Sequence, residues 1–257
     1  MPTQQTKKGN KMIEGKTKMV FENQEDPNTV IIQFKDDITA DDGTKHTVLP
    51  GKAEIDAITN ANIFEFLEKK KIRTHFVKKV NKNSFVAKKL SYRFPIEVIT
   101  RRLAYGSFLE GSDLKAGDQL RIPLTELFYK DDKLHNPKLD DVQKDPEGYF
   151  LKMRMLNGKV FVLLEKAFRA QKHQLVELKL QYGITAQDDE LVVTGEITAG
   201  TLRLWPFKKK NPDFSLHNLS RELNSEGKVD KDLYREGKPL EVVKEGFDRL
   251  AKITEKL

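Results

Sequence analysis

Three side chains able to do chemistry, Glu177, Lys179 and Gln181, alternate with apolar Val176, Leu178, Leu180 and Tyr182. That period of two sets the polar three on one face of a strand and the apolar four on the other. A carboxylate, an ammonium and an amide in register can hold an anion, position a reactant or ligate a hard cation. The same alternation is also the ordinary wet side of an antiparallel hairpin, and spacing alone leaves both readings open. A turn over 183–190 leads to a returning strand over 191–197, so the unit is a hairpin with a long loop.

Three other groups could serve the same chemistry. Gly15-Lys16-Thr17-Lys18 lies between two strand-like segments. Backbone N–H groups and ammonium groups on such a turn make a phosphate cradle, although a plain surface hairpin has the same letters. The run from Phe94 to Phe108 delivers Arg101 on an apolar strand, then Gly106 and Ser107. A guanidinium can hold a phosphate or carboxylate bidentately, while Gly-Ser offers backbone N–H and a hydroxyl. Asp36, Asp37, Asp41 and Asp42 crowd a loop that could grip Mg²⁺ or a polar substrate, or be a solvated turn.

The elements that would carry these groups mix helix and strand. Strands are expected on either side of Gly15 and over 29–34, 74–80 and 84–90. Helices are expected over 53–70, 150–171 and 240–257 from apolar residues at helical spacing. The middle helix has Met153, Leu156, Val160, Leu163, Leu164, Ala167 and Phe168 as its inner stripe. The expected fold class is α+β, two-lobed, with antiparallel sheets and packed helices. Residues 1–11 are expected to be disordered, 12–93 to form a β-rich nucleotide-binding lobe, and 94–257 to complete the cleft, with the boundary near 92–95. His135 reads as a loop histidine. The segments 138–150 and 206–218, the latter with Lys208-Lys209-Lys210, read as exposed loops.

Composition narrows the function classes. The chain has 257 residues, no cysteine and a net charge of +7. Disulfides, thiolate metal sites and cysteine nucleophiles are excluded, and a cytoplasmic location is expected. No apolar run reaches the roughly 20 residues needed to span a bilayer, so no membrane partner is expected. The positive charge favours anionic ligands. Basic residues interleave with acidic ones, and no zinc-finger or RNP pattern is present, so nucleic acid is not the expected partner.

Five separated segments, in order, resemble the SAICAR synthetase family. Pro95, Glu97, Arg101, Gly106 and Ser107 resemble its first signature, with Tyr105 where a small residue is usual. Glu177, Lys179, Gln181, Tyr182 and Gly183, followed by Arg203-Leu204-Trp205, resemble its second. Phe128 to Asp132 resembles a Phe-apolar-Lys-Asp-Asp segment, with Asn136 where Asp is usual. Asp230 to Arg235 resembles an Asp-Lys-x-x-Tyr-Arg element. Gly-Ser-Phe-Leu and Arg-Leu-Trp-Pro look most like the bifunctional animal form. The AIR carboxylase domain of that form is not expected here.

The resemblance implies a ligase of purine biosynthesis, in which ATP phosphorylates the carboxylate of CAIR and the amine of aspartate displaces phosphate. It implies ATP and Mg²⁺ as cofactors, a nucleotide or ribotide ligand and a homo-oligomer. It carries catalytic roles to Lys179, Glu177, Asp132 and Arg203. Nucleotide contacts fall to Gly15, Lys16, Thr17, Lys18, Lys130 and Gln181, and substrate contacts to Asp42, Gly43, Arg101, Gly106, Ser107, Lys231 and Arg235. Metal ligation would fall to Glu177 and Gln181.

The carboxylates break the pattern. Gln181 stands for a Glu, Gly195 for an Asp, Glu177 for an Asp, and Gly200 where an acidic residue is common. The cationic positions are kept, so the expectation is a catalytically impaired or non-catalytic relative that binds a nucleotide or other anionic ligand in the old cleft but holds Mg²⁺ poorly. A ligase with its metal on Asp41, Asp42, Asp131, Asp132 or Glu196 is the alternative. Glu196, one position past the gap, is expected to point away from the cleft by strand alternation, unless a bulge shifts it.

Overall fold

The computed structural model describes residues 6–40, 44–131, 134, 136–139, 145, 147–208, 223–224 and 227–257. In chain order, β1 (Lys8–Glu14), β2 (Lys18–Asn23) and β3 (Thr29–Phe34) are followed by a small hairpin, β4 (Asp37–Ala40) and β5 (Lys45–Val48). Helix α1 (Lys52–Lys69) precedes β6 (Phe76–Asn81), β7 (Ser84–Lys88) and β8 (Leu90–Arg93). Next come β9 (Ile96–Leu103), β10 (Gln119–Tyr129), α2 (Tyr149–Ala170), β11 (His173–Thr185), β12 (Leu191–Thr194) and β13 (Leu202–Pro206). Short α3 (Asp232–Arg235) and α4 (Leu240–Thr254) end the chain.

Two antiparallel sheets carry the architecture. The first runs β1-β2-β3-β7-β6; the second runs β10-β9-β11-β12, with β8 and β13 also paired to β11. The α+β expectation therefore holds, and the expected helices and paired strands fall within a few residues of their observed ends. Helix α1 covers the first sheet and meets α4; α2 lies on the second sheet against β9, β10 and β11. One apolar cluster runs through both, from Phe34, Phe64 and Phe85 to Phe161, Leu178 and Phe247.

Local chemistry explains the helix starts. Asp36 accepts from the N–H of Ala53 at 2.8 Å, closing the first turn of α1. Asp145 accepts from the N–H groups of Tyr149 and Phe150 at the start of α2. Thus Asp36 of the acidic loop is a helix cap, and Asp37 pairs with His46 at 2.7 Å and Lys35 at 3.5 Å. Asp41, Asp42 and Gly43 lie outside the described residues, as do Asp132, His135, Lys209 and Lys210.

Strand β1 begins at Lys8, inside the segment expected to be disordered. Residues 90–93, expected within the first lobe but not as a separate strand, form β8, which pairs with β11 of the second sheet through Gly183↔Arg93 and Ile184↔Tyr92. Gly183 permits that approach, because a Cβ there would stand 2.8 Å from Leu90 Cδ1 and 2.9 Å from Tyr92 O. Strand β10, with its pairing to β9, was not read from the sequence.

Candidate active site

The second sheet aligns a row of alternating charge. Register puts Arg101 opposite Glu177, and Glu177 opposite Arg203. Arg101 Nη1 binds Glu126 at 2.6 Å and its Nε binds Glu177 at 2.8 Å. Glu177 gives its other oxygen to Arg203, whose Nε reaches Asp232 at 2.7 Å; Asp232 also accepts from Arg235. The row thus runs Glu126–Arg101–Glu177–Arg203–Asp232–Arg235 across β10, β9, β11, β13 and α3. Arg203 is held above its ordinary value: burial would lower it, but Glu177 and Asp232 outweigh that. Asp230, buried beside Asp232, is pushed up by burial and by its neighbour's charge.

Gly106 opens a short 3₁₀ turn, Gly106–Leu109, in left-handed backbone at φ 61°. A Cβ there would lie 3.4 Å from Arg203 Nη2. Gly106 therefore lies against Arg203 of the row. Tyr105 turns toward Trp205, with ring centroids 4.9 Å apart, and its hydroxyl accepts from Lys228 at 3.1 Å. Its ring also faces the Arg203 guanidinium at 5.4 Å.

The other end of β11 carries a cluster with a different balance. Strand β12 ends at Thr194, and Gly195 adopts φ 81°. Buried His75 donates from Nε2 to Gly195 O at 3.2 Å and accepts the Thr194 hydroxyl at Nδ1, 3.0 Å away. Burial drives His75 down to about 3, so it stays neutral. Asn60 of α1 accepts from the N–H of Ile197 at 2.9 Å. This pinned turn breaks the strand alternation and sends Glu196 into the cleft, correcting the expectation that it faces away. Glu196 meets Lys18 at 2.7 Å and the Thr17 hydroxyl at 3.3 Å. Burial would raise its carboxyl, but Lys18, with Lys52 and Lys179 beyond, draws it down to about 2. Burial wins at Lys18, which is lowered despite its pair.

Glu97 is the second acid of this cluster. Both its oxygens face Lys179 Nζ at 3.0 Å, and Lys130 lies 3.7 Å away. Gln181 Nε2 approaches Glu97 at 3.5 Å, while Gln181 Oε1 accepts from Arg93 Nη2. Lys231 is lowered to about 7, chiefly by burial and then by nearby Arg235 and Lys179. Lys52 completes the ring and is held above its usual value; burial opposes this, but Asp56 at 2.6 Å outweighs it.

The expected residues thus divide in two. Arg101, Gly106, Glu177, Arg203 and Arg235 gather along the charged row, with Ser107 next to Gly106 in the 3₁₀ turn; Thr17, Lys18, Lys130, Lys179, Gln181 and Lys231 gather around Glu97 and Glu196. Lys16 is exposed. Gly15 closes the expected turn through an N–H bond to Lys18 O at 2.8 Å. Arg93, His75 and Asn60 were missed. A polar residue in an otherwise apolar helix face flags Asn60; nothing in the spacing flags Arg93 before β8 is known to join β11.

A model of the SAICAR synthetase family matches residues 11–251. The chain belongs to the SAICAR synthetase family. It is 34% identical over 251 residues to the phosphoribosylaminoimidazole-succinocarboxamide synthase of Sulfurisphaera tokodaii, covering 94% of this chain and 97% of that one. It is 37% identical over 212 residues to the bifunctional enzyme of Drosophila melanogaster, covering 78% of this chain and 49% of that protein. The crystal structure of the Ehrlichia chaffeensis synthase superposes with a TM-score of 0.82 at 27% identity, over 96% of this chain and 99% of the other. A SAICAR synthetase in complex with ADP gives 0.80 at 29%, over 94% and 96%.

Family membership implies Mg²⁺, and the residues present do not fit it. Glu177 gives both oxygens to arginines. The Gln181 oxygen is neutral and already taken by Arg93. Gly195 brings no side-chain donor, and the Gln181 amide lies over it, its Oε1 2.9 Å from where a Cβ would stand. Among the described residues no three His, Cys, Asp or Glu side chains form a metal-holding group. Mg²⁺ demands hard anionic oxygens in near-octahedral order.

Proposed function

We propose that this SAICAR synthetase family protein holds a nucleotide or ribotide phosphate in the cationic cleft and turns over ATP, CAIR and L-aspartate slowly or not at all. The observation that carries the reading is the Arg93–Gln181–Gly195 contact, which puts a guanidinium and a packed amide where metal carboxylates are implied. Metal-borne charge stabilisation supplies several kcal/mol in such reactions, so its loss removes several powers of ten in rate. Lys18, Lys130, Lys179 and Lys231 remain to attract phosphates, with Arg101, Ser107, Arg203 and Arg235 as the substrate side. A cytoplasmic homo-oligomer, with a nucleotide-binding first lobe, is the accompanying expectation.

A second reading has one observation in its favour. Glu196 turns toward Lys18 and Thr17, and its carboxylate could help hold a metal in a working ligase once a triphosphate draws Lys18 away. ADP release with CAIR and aspartate separates the two. Release near background supports the weak-ligase reading, and Gln181→Glu with Gly195→Asp should then bring Mg²⁺-dependent nucleotide binding. Turnover at rates typical of kinases, about 1–100 s⁻¹, defeats it.

A further inference from the structure

The misfit with a metal coincides with a cation placed by the sheet. Arg93 ends β8, and the pairing Gly183↔Arg93 brings it beside β11. Its residue is exposed, yet its Nη2 is bonded to Gln181 Oε1. That oxygen is seated over Gly195, where a Cβ would collide with it at 2.9 Å. The amide has a donor on one side and an acceptor, Glu97 Oε1 at 3.5 Å, on the other. A carboxylate at 181 would set two anions against each other there. Gln181, Gly195 and Arg93 therefore form one contiguous unit, a guanidinium bonded to an amide that sits over a turn without a side chain.

We propose that Arg93 supplies in this chain the positive charge that a divalent cation would otherwise bring to the hairpin. A nucleoside polyphosphate then binds as the free polyanion. The proposal rests on the phosphate-binding reading of the cleft and adds the form of the ligand and the residue that selects it. A guanidinium has five N–H donors, of which Gln181 engages Nη2, and its planar fork matches phosphate oxygens two at a time. Lys18, Lys130, Lys179 and Lys231 lie near enough to perturb one another or their shared acids Glu97 and Glu196. This cationic field repels Mg²⁺ and favours the more highly charged, metal-free nucleotide. Mg²⁺ in solution accordingly weakens binding by sequestering the ligand.

Calorimetric titration of ADP and ATP into the full chain, once in EDTA and once in excess Mg²⁺, tests this with wild type, Arg93→Met and Arg93→Lys. Wild type binds more tightly in EDTA. Arg93→Met loses about 10- to 100-fold in EDTA, the span for one charged hydrogen bond, and Arg93→Lys recovers part of it. Because Arg93 is exposed, the variants keep the wild-type melting temperature within a few degrees, which a thermal scan checks. Tighter binding in Mg²⁺, or Arg93→Met binding as wild type does in EDTA, overturns the proposal. The two readings fail apart: rapid ADP release defeats the weak-ligase reading whatever the titrations give, whereas Mg²⁺-dependent binding without turnover defeats only the role of Arg93.

Discussion

The two ends of strand β11 treat charge in opposite ways. At one end Glu126, Arg101, Glu177, Arg203, Asp232 and Arg235 alternate in sign, and each acid sits between two cations or beside one. At the other, Lys18, Lys52, Arg93, Lys130, Lys179 and Lys231 surround Glu97, Glu196 and Asp56. The first region is balanced and fixes geometry. The second is left with positive excess, which is a binding resource only if an anion arrives. Desolvated charges are costly when unpaired and close to neutral when paired, so the balanced row should matter most for stability and the unbalanced cluster most for ligand.

The sharpest way to break that contrast is Arg203→Met. It removes one of the two cations held by each of Glu177 and Asp232, leaving Arg101 and Arg235 in place, and should cost about 2–3 kcal/mol in urea denaturation; a loss below about 1 kcal/mol would mean that water already balances the row. Next is Glu196→Gln. The folded carboxyl is depressed to about 2, so its stabilising contribution is present above the unfolded value near 4.5 and disappears as pH falls through about 2. Wild type should lose about 2–3 kcal/mol over that window and the variant should not; parallel acid-denaturation curves would contradict the pairing. Gly195→Asp alone should cost about 1–2 kcal/mol, because it adds a Cβ against Gln181 and forces left-handed backbone on a non-glycine residue. Adding Gln181→Ala should return part of that loss.

The smallest expected effect lies on the ligand side. Lys231 is lowered to about 7, so its charge is lost as pH rises through that value. Affinity for ADP should fall several-fold between about pH 6 and pH 8, with proton uptake on binding, beyond whatever change Lys231→Met retains. Equal pH profiles in the two proteins would remove Lys231 from the cluster.

Much of the row was legible before the fold was known. Glu177 and Arg203 announce themselves by strand alternation and by the letters around them, and Arg101 by its place before Gly106. The apolar face of β11 was plain for Leu178, Leu180 and Tyr182, which are buried in the main core; a register shift between Leu175 and Glu177 instead puts Leu175 with them and sends Val176 to the smaller cluster around Trp205. The extra hydroxyl of Tyr182 is absorbed by Asn157 at 3.0 Å, a partner 25 positions away that no local pattern reveals. The cluster at the other end was harder for the same reason. Glu196 was misjudged because alternation was carried past Thr194, whereas His75 and Asn60, from a different strand margin and a helix, turn the chain at Gly195. Arg93 was invisible because its role depends on β8 leaving the first sheet for the second. Local period fixes faces; long-range pairing decides which residues meet at the ends of strands.

The most direct test is a crystal grown with a non-hydrolysable ATP analogue and Mn²⁺, read by anomalous scattering. The account predicts a triphosphate held against Lys18 and Arg93, with no ordered metal between positions 181 and 195. Two manganese ions chelated at the hairpin alongside that triphosphate would contradict it.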